Sequence, residues 1–245
     1  MKAMILAAGL GTRLKPFTDL HPKALLKING KSLLQRNIEY LSSYGIKDII
    51  VNVHHFPDQV KNEIEKNNGW GANISISDES GELLETGGGI KKAAWFFNDG
   101  EPFVVMNVDV LTDMDLNAMI DHHKTIKAWA TLAVSKRDTS RYLLFDETSR
   151  LCGWKNKKTG EQKMSKPAKT HEEKAFSGIH VIEPKLLPLL KNPDPLCEQQ
   201  DKFSITDAYL ELSKLHSIMA YEHSGCKFID VGKHDSIARA EELFS

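Results

Sequence analysis

The residues best equipped for chemistry stand near the start of the chain, where Gly9, Gly11, Arg13 and Lys23 follow an apolar run, Met1 to Ala8. Glycine lacks a Cβ and takes positive φ readily, so backbone N–H groups at such a turn can point at an anion that side chains would hold away. Arg13 and Lys23 add fixed positive charge beside it. The group suits the holding of a polyphosphate. It suits equally a tight turn flanked by surface cations, and a glycine pair after a strand does not by itself separate the two.

Two familiar phosphate motifs do not fit. A dinucleotide fold needs a third glycine and, about 20 residues on, an acid for the ribose. The third place of GLGTRL is Leu14, and the next apolar run ends in Val51, Asn52, Val53 and His54 without a carboxylate, which argues against a nicotinamide or flavin site. A P-loop needs a glycine where Leu25 stands, so Gly30, Lys31 and Ser32 match only its tail.

A turn of this kind works only if a sheet holds it, and the remaining pattern supplies one. Short apolar runs alternate with amphipathic stretches: Ala3 to Ala7 then Leu33 to Tyr44, Ile49 to Val53 then Pro57 to Lys66, Ile74 to Ser77 then Gly88 to Phe97, and Phe103 to Asn107 then Leu116 to Lys124. This predicts an α/β fold, a mostly parallel sheet with helices on both faces. Gly45 suits the end of the first helix and Asp115 the cap of the fourth. In the second half, strands are expected at Ala130 to Val134, Tyr142 to Phe145, Leu151 to Trp154, Ala175 to Ile182, Ile218 to Glu222 and Phe228 to Val231. Helices are expected at Ile205 to Leu215 and Asp235 to Phe244. Residues 155–174 carry seven lysines and three glutamates with almost no apolar residue, the composition of a mobile polar loop, either a solvated excursion or a flap over a substrate.

The 245 residues suit a single domain spanning 1–245. Thirty-two Lys and Arg against 33 Asp and Glu give a formal charge of −1, which offers no general attraction to nucleic acid or an anionic membrane. Three scattered cysteines, Cys152, Cys197 and Cys226, suit reduced thiols. With no signal segment or long apolar span, a cytoplasmic location is expected. The pairs His54–His55 and His122–His123 lack the i, i+4 spacing of a zinc helix and read as structural or surface histidines. No hexapeptide repeat appears, so no C-terminal β-helix domain is expected.

GLGTRL with Pro16, Pro22 and Lys23 resembles the signature of the sugar-1-phosphate nucleotidyltransferases. The resemblance continues in ETGGGI, Glu85 to Ile90, in Asn107-Val108-Asp109, and in FIDVGK around Asp230, so that four motifs in order span residues 6 to 232. It implies the nucleotide-diphospho-sugar transferase fold, a Rossmann-like mixed sheet. It also implies the joining of a nucleoside triphosphate to a sugar 1-phosphate with release of pyrophosphate, Mg2+ as cofactor, and a monomer or small homo-oligomer.

In this resemblance Asp109 and Asp230 are the metal ligands, and with Arg13 and Lys23 they form the catalytic set. Ala8, Gly9, Gly11, Thr12, Arg13, Lys23, Glu85, Thr86, Gly87 and Gly88 are the nucleotide-binding candidates. Asn107, Ser177 and Gly178 are the sugar-binding candidates. Taken singly, each aspartate also suits a cap or turn, Glu85 and Thr86 a helix cap, and the sugar candidates a satisfied core position. The attacking phosphate is already anionic at neutral pH, so such an enzyme needs no general base; it must bring two repelling anions together and stabilise the crowded charge. One or two carboxylates plus phosphate oxygens are the usual setting for Mg2+.

Val108 stands where the family commonly has glycine, and Lys233 where it has threonine, but neither change removes a ligand. The short chain and ETGGGI look most like the N-acetylmuramic acid 1-phosphate uridylyltransferases. Mannose- or heptose-1-phosphate guanylyltransferases are the rival reading. A catalytically inactive NDP-sugar-binding sensor and an alcohol-phosphate cytidylyltransferase are the readings from other classes.

Overall fold

In the computed structural model, which describes residues 1–245, the first strand, β1 (Ala3–Leu6), is buried at every position, as an unbroken apolar run in a parallel sheet requires. A small hairpin, β2 (Lys27–Ile28) with β3 (Lys31–Ser32), leads into α1 (Leu33–Ser43). Ser32 Oγ caps that helix by accepting from Gln35 N–H at 3.1 Å, and Gly45 ends it with φ 78°. The alternation continues through β4 (Asp48–Val53), α2 (Pro57–Lys66), β5 (Asn73–Asp78), α3 (Glu85–Lys92) and β6 (Phe103–Asn107). A short strand, β7 (Val110–Thr112), precedes α4 (Leu116–Ile126), where Asp115 caps by accepting from Ala118 N–H at 3.1 Å.

The second half comprises β8 (Ala130–Ser135), β9 (Arg141–Phe145), β10 (Leu151–Asn156), β11 (Gln162–Met164), β12 (Glu172–Ile182), α5 (Ile205–Leu212), β13 (Ile218–Glu222), β14 (Phe228–Asp230) and α6 (Asp235–Leu243). The central sheet runs β5-β4-β1-β6-β12-β8-β13. All neighbours are parallel except β12, which runs antiparallel to β6 and β8. The expected mixed, mostly parallel sheet is therefore present, with one reversed strand.

Two cores sit on its two faces, and β1 supplies both. Ala3 and Ile5 pack with Ile38 of α1, Val60 of α2 and Met119 of α4, whereas Met4 and Leu6 pack with Ile90 of α3 and Tyr209 of α5. The period of two along a strand sends alternate residues to opposite faces.

Two segments differ from expectation. Residues 155–174 do not form a free loop: β10 turns back into β11 with Gly153 opposite Met164, and β12 begins at Glu172 beside Phe145. Backbone pairing, which asks nothing of side-chain polarity, orders a stretch whose composition reads as solvated. The helix expected at Gly88 to Phe97 starts earlier, at Glu85, and ends at Lys92.

Candidate active site

Strands β4, β1 and β6 end side by side, with Leu6 level with Asn52 on one side and Asn107 on the other. Strand order reverses here, since β4 and β5 continue from β1 in one direction and β6 lies in the other, so a crevice opens beyond the carboxyl ends. Its volume is about 520 Å³, and Ala8, Gly9, Gly11, Thr12, Arg13, Lys23, Glu85, Thr86, Asn107 and Asp109 line it.

The glycine turn has two different roles in its two glycines. Gly11 has φ 61°, and a Cβ there would fall 2.8 Å from Thr18 Cγ2 and 3.1 Å from Lys23 Cβ, so only glycine lets the loop close over Lys23. Gly9 has nothing within 4 Å of where a Cβ would stand, and its bare face looks into open space at the cleft wall.

Asp109 follows β6, and β14 pairs with β7 so that Asp230 lies opposite Val110, the next residue. The backbone closes the join, with Val231 N–H donating to Asp109 O at 2.8 Å. The two aspartates proposed from distant parts of the chain thus meet at one end of the cleft. Lys23, only 8% exposed, places its ammonium on the Asp109 carboxylate. Burial, and after it the negative charge of Asp109, push the Asp230 carboxyl above the usual carboxylate range, while Lys23, Arg13 and Arg137 pull the other way. Asp230 itself stays solvent-exposed. A side chain on Gly232 would collide with both neighbours, its Cβ falling 2.6 Å from Asp230 Oδ1 and 2.8 Å from Arg13 Nη2.

The donor set fits a hard divalent cation: two adjoining carboxylates, one held up by the other's charge, form the setting that such an ion relieves. The cations beside them, Lys23 and Arg13, fit a polyphosphate.

Other predicted residues are tied into the protein's own hydrogen bonds and packing. Gly87 and Gly88 are buried behind the wall, both N–H groups donating to Phe203 O at 2.9 and 3.3 Å, so they face the protein and not the cleft. Thr86 lines the cleft but also accepts from Ile205 N–H at 2.9 Å. Ser177 is buried, its Oγ bonded to His223 Nε2 at 2.7 Å. Gly178, φ 70°, sits where β12 slips register against β8 and lets Asn107 pack close, since its Cβ would come 2.6 Å from Asn107 Nδ2.

Four residues near the site carry no motif: Asn52, Glu79, Arg137 and Arg141. A polar residue inside the apolar run IIVNV was the one signal for Asn52, and nothing marked the others. Arg137 donates to Phe176 O at 2.6 Å and stacks over the Phe228 ring at 4.9 Å, two residues before Asp230. Arg141 stands on the cleft wall.

A family model described as nucleotidyl transferase matches residues 2–244. The chain belongs to the nucleotidyl transferase family. An N-acetylmuramate alpha-1-phosphate uridylyltransferase of Neisseria meningitidis serogroup B is 42% identical over 118 residues, 48% of this chain and 51% of that protein. A mannose-1-phosphate guanyltransferase of Yarrowia lipolytica is 28% identical over 239 residues, 95% of this chain and 61% of that one. The match thus spans about half to three-fifths of these relatives' lengths. Among solved structures, HddC from Yersinia pseudotuberculosis complexed with GMP-PN is 25% identical, with a TM-score of 0.75, covering 100% of this chain and 99% of that one. That likeness is one of fold along the whole chain, and here the sheet is mixed and the cleft lies at its carboxyl edge. No helix is long and apolar enough to cross a membrane.

Proposed function

We propose that this protein joins a nucleoside triphosphate to a sugar 1-phosphate, giving an NDP-sugar and pyrophosphate, with UTP and N-acetylmuramic acid 1-phosphate as the substrates. The observation that carries the reading is the meeting of Arg13, Lys23, Asp109 and Asp230 at one cleft. Asp109 and Asp230 would hold Mg2+, which when bound supplies positive charge to phosphate oxygens.

The remaining work falls to the chain's own groups. The planar fork of Arg13 suits the triphosphate and the departing pyrophosphate, for which it offers paired donors. Lys23 is placed to exchange its contact with Asp109 for an incoming phosphate oxygen. Ala8 and Gly9 offer a flat wall for the nucleoside, and Glu85 and Thr86 line the same cleft. Asn107, held by Gly178, faces the sugar. No base is needed, because the attacking phosphate is already ionised.

The likeness to the Neisseria protein supports uracil and muramic acid. N-acetylmuramic acid 1-phosphate carries a carboxylate besides its phosphate, and Arg141 stands on the cleft wall as a cation that could meet it. GTP with a mannose- or heptose-type 1-phosphate is the second reading, favoured by a likeness to HddC that covers the whole chain. Both place the reaction in a cytoplasm, where nucleoside triphosphates are made.

Pyrophosphate release measured with Mg2+ across the four NTPs and a panel of sugar 1-phosphates tests these readings. Turnover highest with UTP and N-acetylmuramic acid 1-phosphate is expected. GTP preference moves the assignment to the second reading, and nucleotide binding without turnover on any panel member makes the protein a sensor.

A further inference from the structure

The cleft is backed by an almost fully buried polar pair, of which Asn52 just reaches the lining. Asn52, at the end of β4, is 2% exposed, and Glu79, just past β5, is 0% exposed. Asn52 Oδ1 accepts from Ala7 N–H at 2.7 Å, and its Nδ2 donates to Glu79 Oε1 at 2.7 Å. Glu79 Oε2 accepts from Leu84 N–H at 3.3 Å, while the Glu79 carbonyl accepts from His54 Nδ1 at 2.6 Å. Gly89 of α3 presses on both side chains, since a Cβ there would come 2.8 Å from Glu79 Oε1 and 2.9 Å from Asn52 Nδ2.

A carboxyl without a paired cation is a costly thing to bury. Burial pushes the Glu79 carboxyl above its ordinary range, against the pull of the Asn52 and Leu84 bonds. What it achieves there is visible in the partners. Ala7 N–H lies just past β1 and Leu84 N–H just before α3, and each needs an acceptor where regular structure ends. Ala7 immediately precedes Ala8 and Gly9, and Leu84 immediately precedes Glu85 and Thr86, two separate segments of the cleft wall. The two side chains are therefore the one direct polar link between the walls.

We propose that Asn52 and Glu79 are positioning residues that set the separation and register of the two nucleoside-binding walls, while leaving the phosphate cations Arg13 and Lys23 untouched. The proposal rests on the reading that this cleft takes a nucleoside triphosphate. The base and ribose fit between walls whose spacing the pair fixes; the phosphates are held by groups on a separate loop.

Donor and acceptor roles within the pair can be exchanged. Asn52→Asp keeps an acceptor for Ala7 N–H but sets a carboxylate against Glu79. Adding Glu79→Gln restores the match, since the glutamine amide then donates to the new carboxylate and its oxygen accepts from Leu84 N–H, with the buried charge the same as in the native pair. For Asn52→Asp we expect the UTP dissociation constant and KM to rise about tenfold, the size of one buried hydrogen bond lost. The sugar 1-phosphate KM and inhibition by pyrophosphate should stay within about twofold, and Ala7 amide exchange should quicken. The double variant should regain most of the UTP affinity.

Unchanged UTP affinity in Asn52→Asp, equal losses for both substrates, or a double variant no better than the single one would overturn the proposal. If Asn52→Asp does not fold, Glu79→Gln alone serves: it keeps the Asn52 bond, so exchange should quicken at Leu84 and not at Ala7, and the reverse pattern overturns the proposal. A wild-type protein that binds no nucleotide defeats the reading of the cleft instead, and the exchange pattern still tests the link between its walls.

Discussion

Asp109 and Asp230 set two carboxylates side by side, with Lys23 paired to Asp109 and the charges of Lys23, Arg13 and Arg137 acting on Asp230. Asp109→Asn and Asp230→Asn should each lower turnover by about a hundredfold or more, since each removes charge that orders the cation and the phosphates around it. Asp230→Asn should unfold at or above the wild-type temperature in metal-free buffer, because it relieves the repulsion with Asp109, whereas Asp109→Asn should unfold below it, because it also leaves the buried Lys23 ammonium without its partner. Millimolar Mg2+ should raise the wild-type midpoint and leave the variants unmoved, as scanning calorimetry can show. A variant with normal turnover, or one that keeps the Mg2+ response, would remove the pair from the site. GLGTRL, Asn107-Val108-Asp109 and FIDVGK were legible because their residue types are few and their order is fixed. Arg137 and Glu79 were not, because nothing in their neighbours' sequence sets them apart from ordinary core or surface residues, and for Asn52 the lone polar residue within IIVNV was the only sign.

At the scale of elements, the glycine run of α3 changes meaning. In sequence, ETGGGI reads as backbone bared to a nucleotide base. In the fold, Gly87 and Gly88 are bare so that the segment before α5 can lie against the helix, with Phe203 O accepting both N–H groups. A Cβ on Gly88 would fall 2.0 Å from Asp201 O and 2.9 Å from Leu84 Cβ, too close for either to yield without moving backbone. Gly88→Ala should therefore cost about 1–3 kcal/mol by urea denaturation and disturb the cleft only through displacement of Ser204 and Thr86. An unchanged midpoint with a lost nucleotide affinity would return Gly88 to the binding surface. The hairpin of β10 and β11 makes the same point from the other side, because a lysine-rich stretch carries no apolar signal of the backbone pairing that orders it.

Across the whole molecule, one sheet separates two cores, and its reversed strand β12 carries a buried histidine into the second. His180 Nδ1 bonds the Tyr209 hydroxyl at 2.5 Å, and burial lowers its pKa from 6.5 to about 3. Unfolded, the ring takes up a proton near pH 6.5; folded, it stays neutral down to about 3. Between these values the unfolded chain binds more protons, so the contribution of His180 to stability is full above pH 6.5 and is lost as pH falls toward 3. His180→Gln should be less stable than wild type at pH 7.5, and the gap should narrow steadily as the pH is lowered through that window. Urea titrations at a series of pH values check this, and a gap that stays constant would mean that the ring is not held neutral.

The chain's order of elements, its glycine turn and its separated acidic motifs were settled by the sequence, since local periodicity, turn chemistry and motif order are all written along one dimension. Which of those residues meet was decided only in three dimensions. Asp109 and Asp230 are far apart in the chain and become neighbours because β14 pairs with β7. Asn52 and Glu79 join the two walls because parallel strands end level with one another. Gly87 and Gly88 turn inward because a distant carbonyl docks on them. Contacts of this kind depend on strand register and on the path of the chain between strands, and neither is carried by the residues that make the contact.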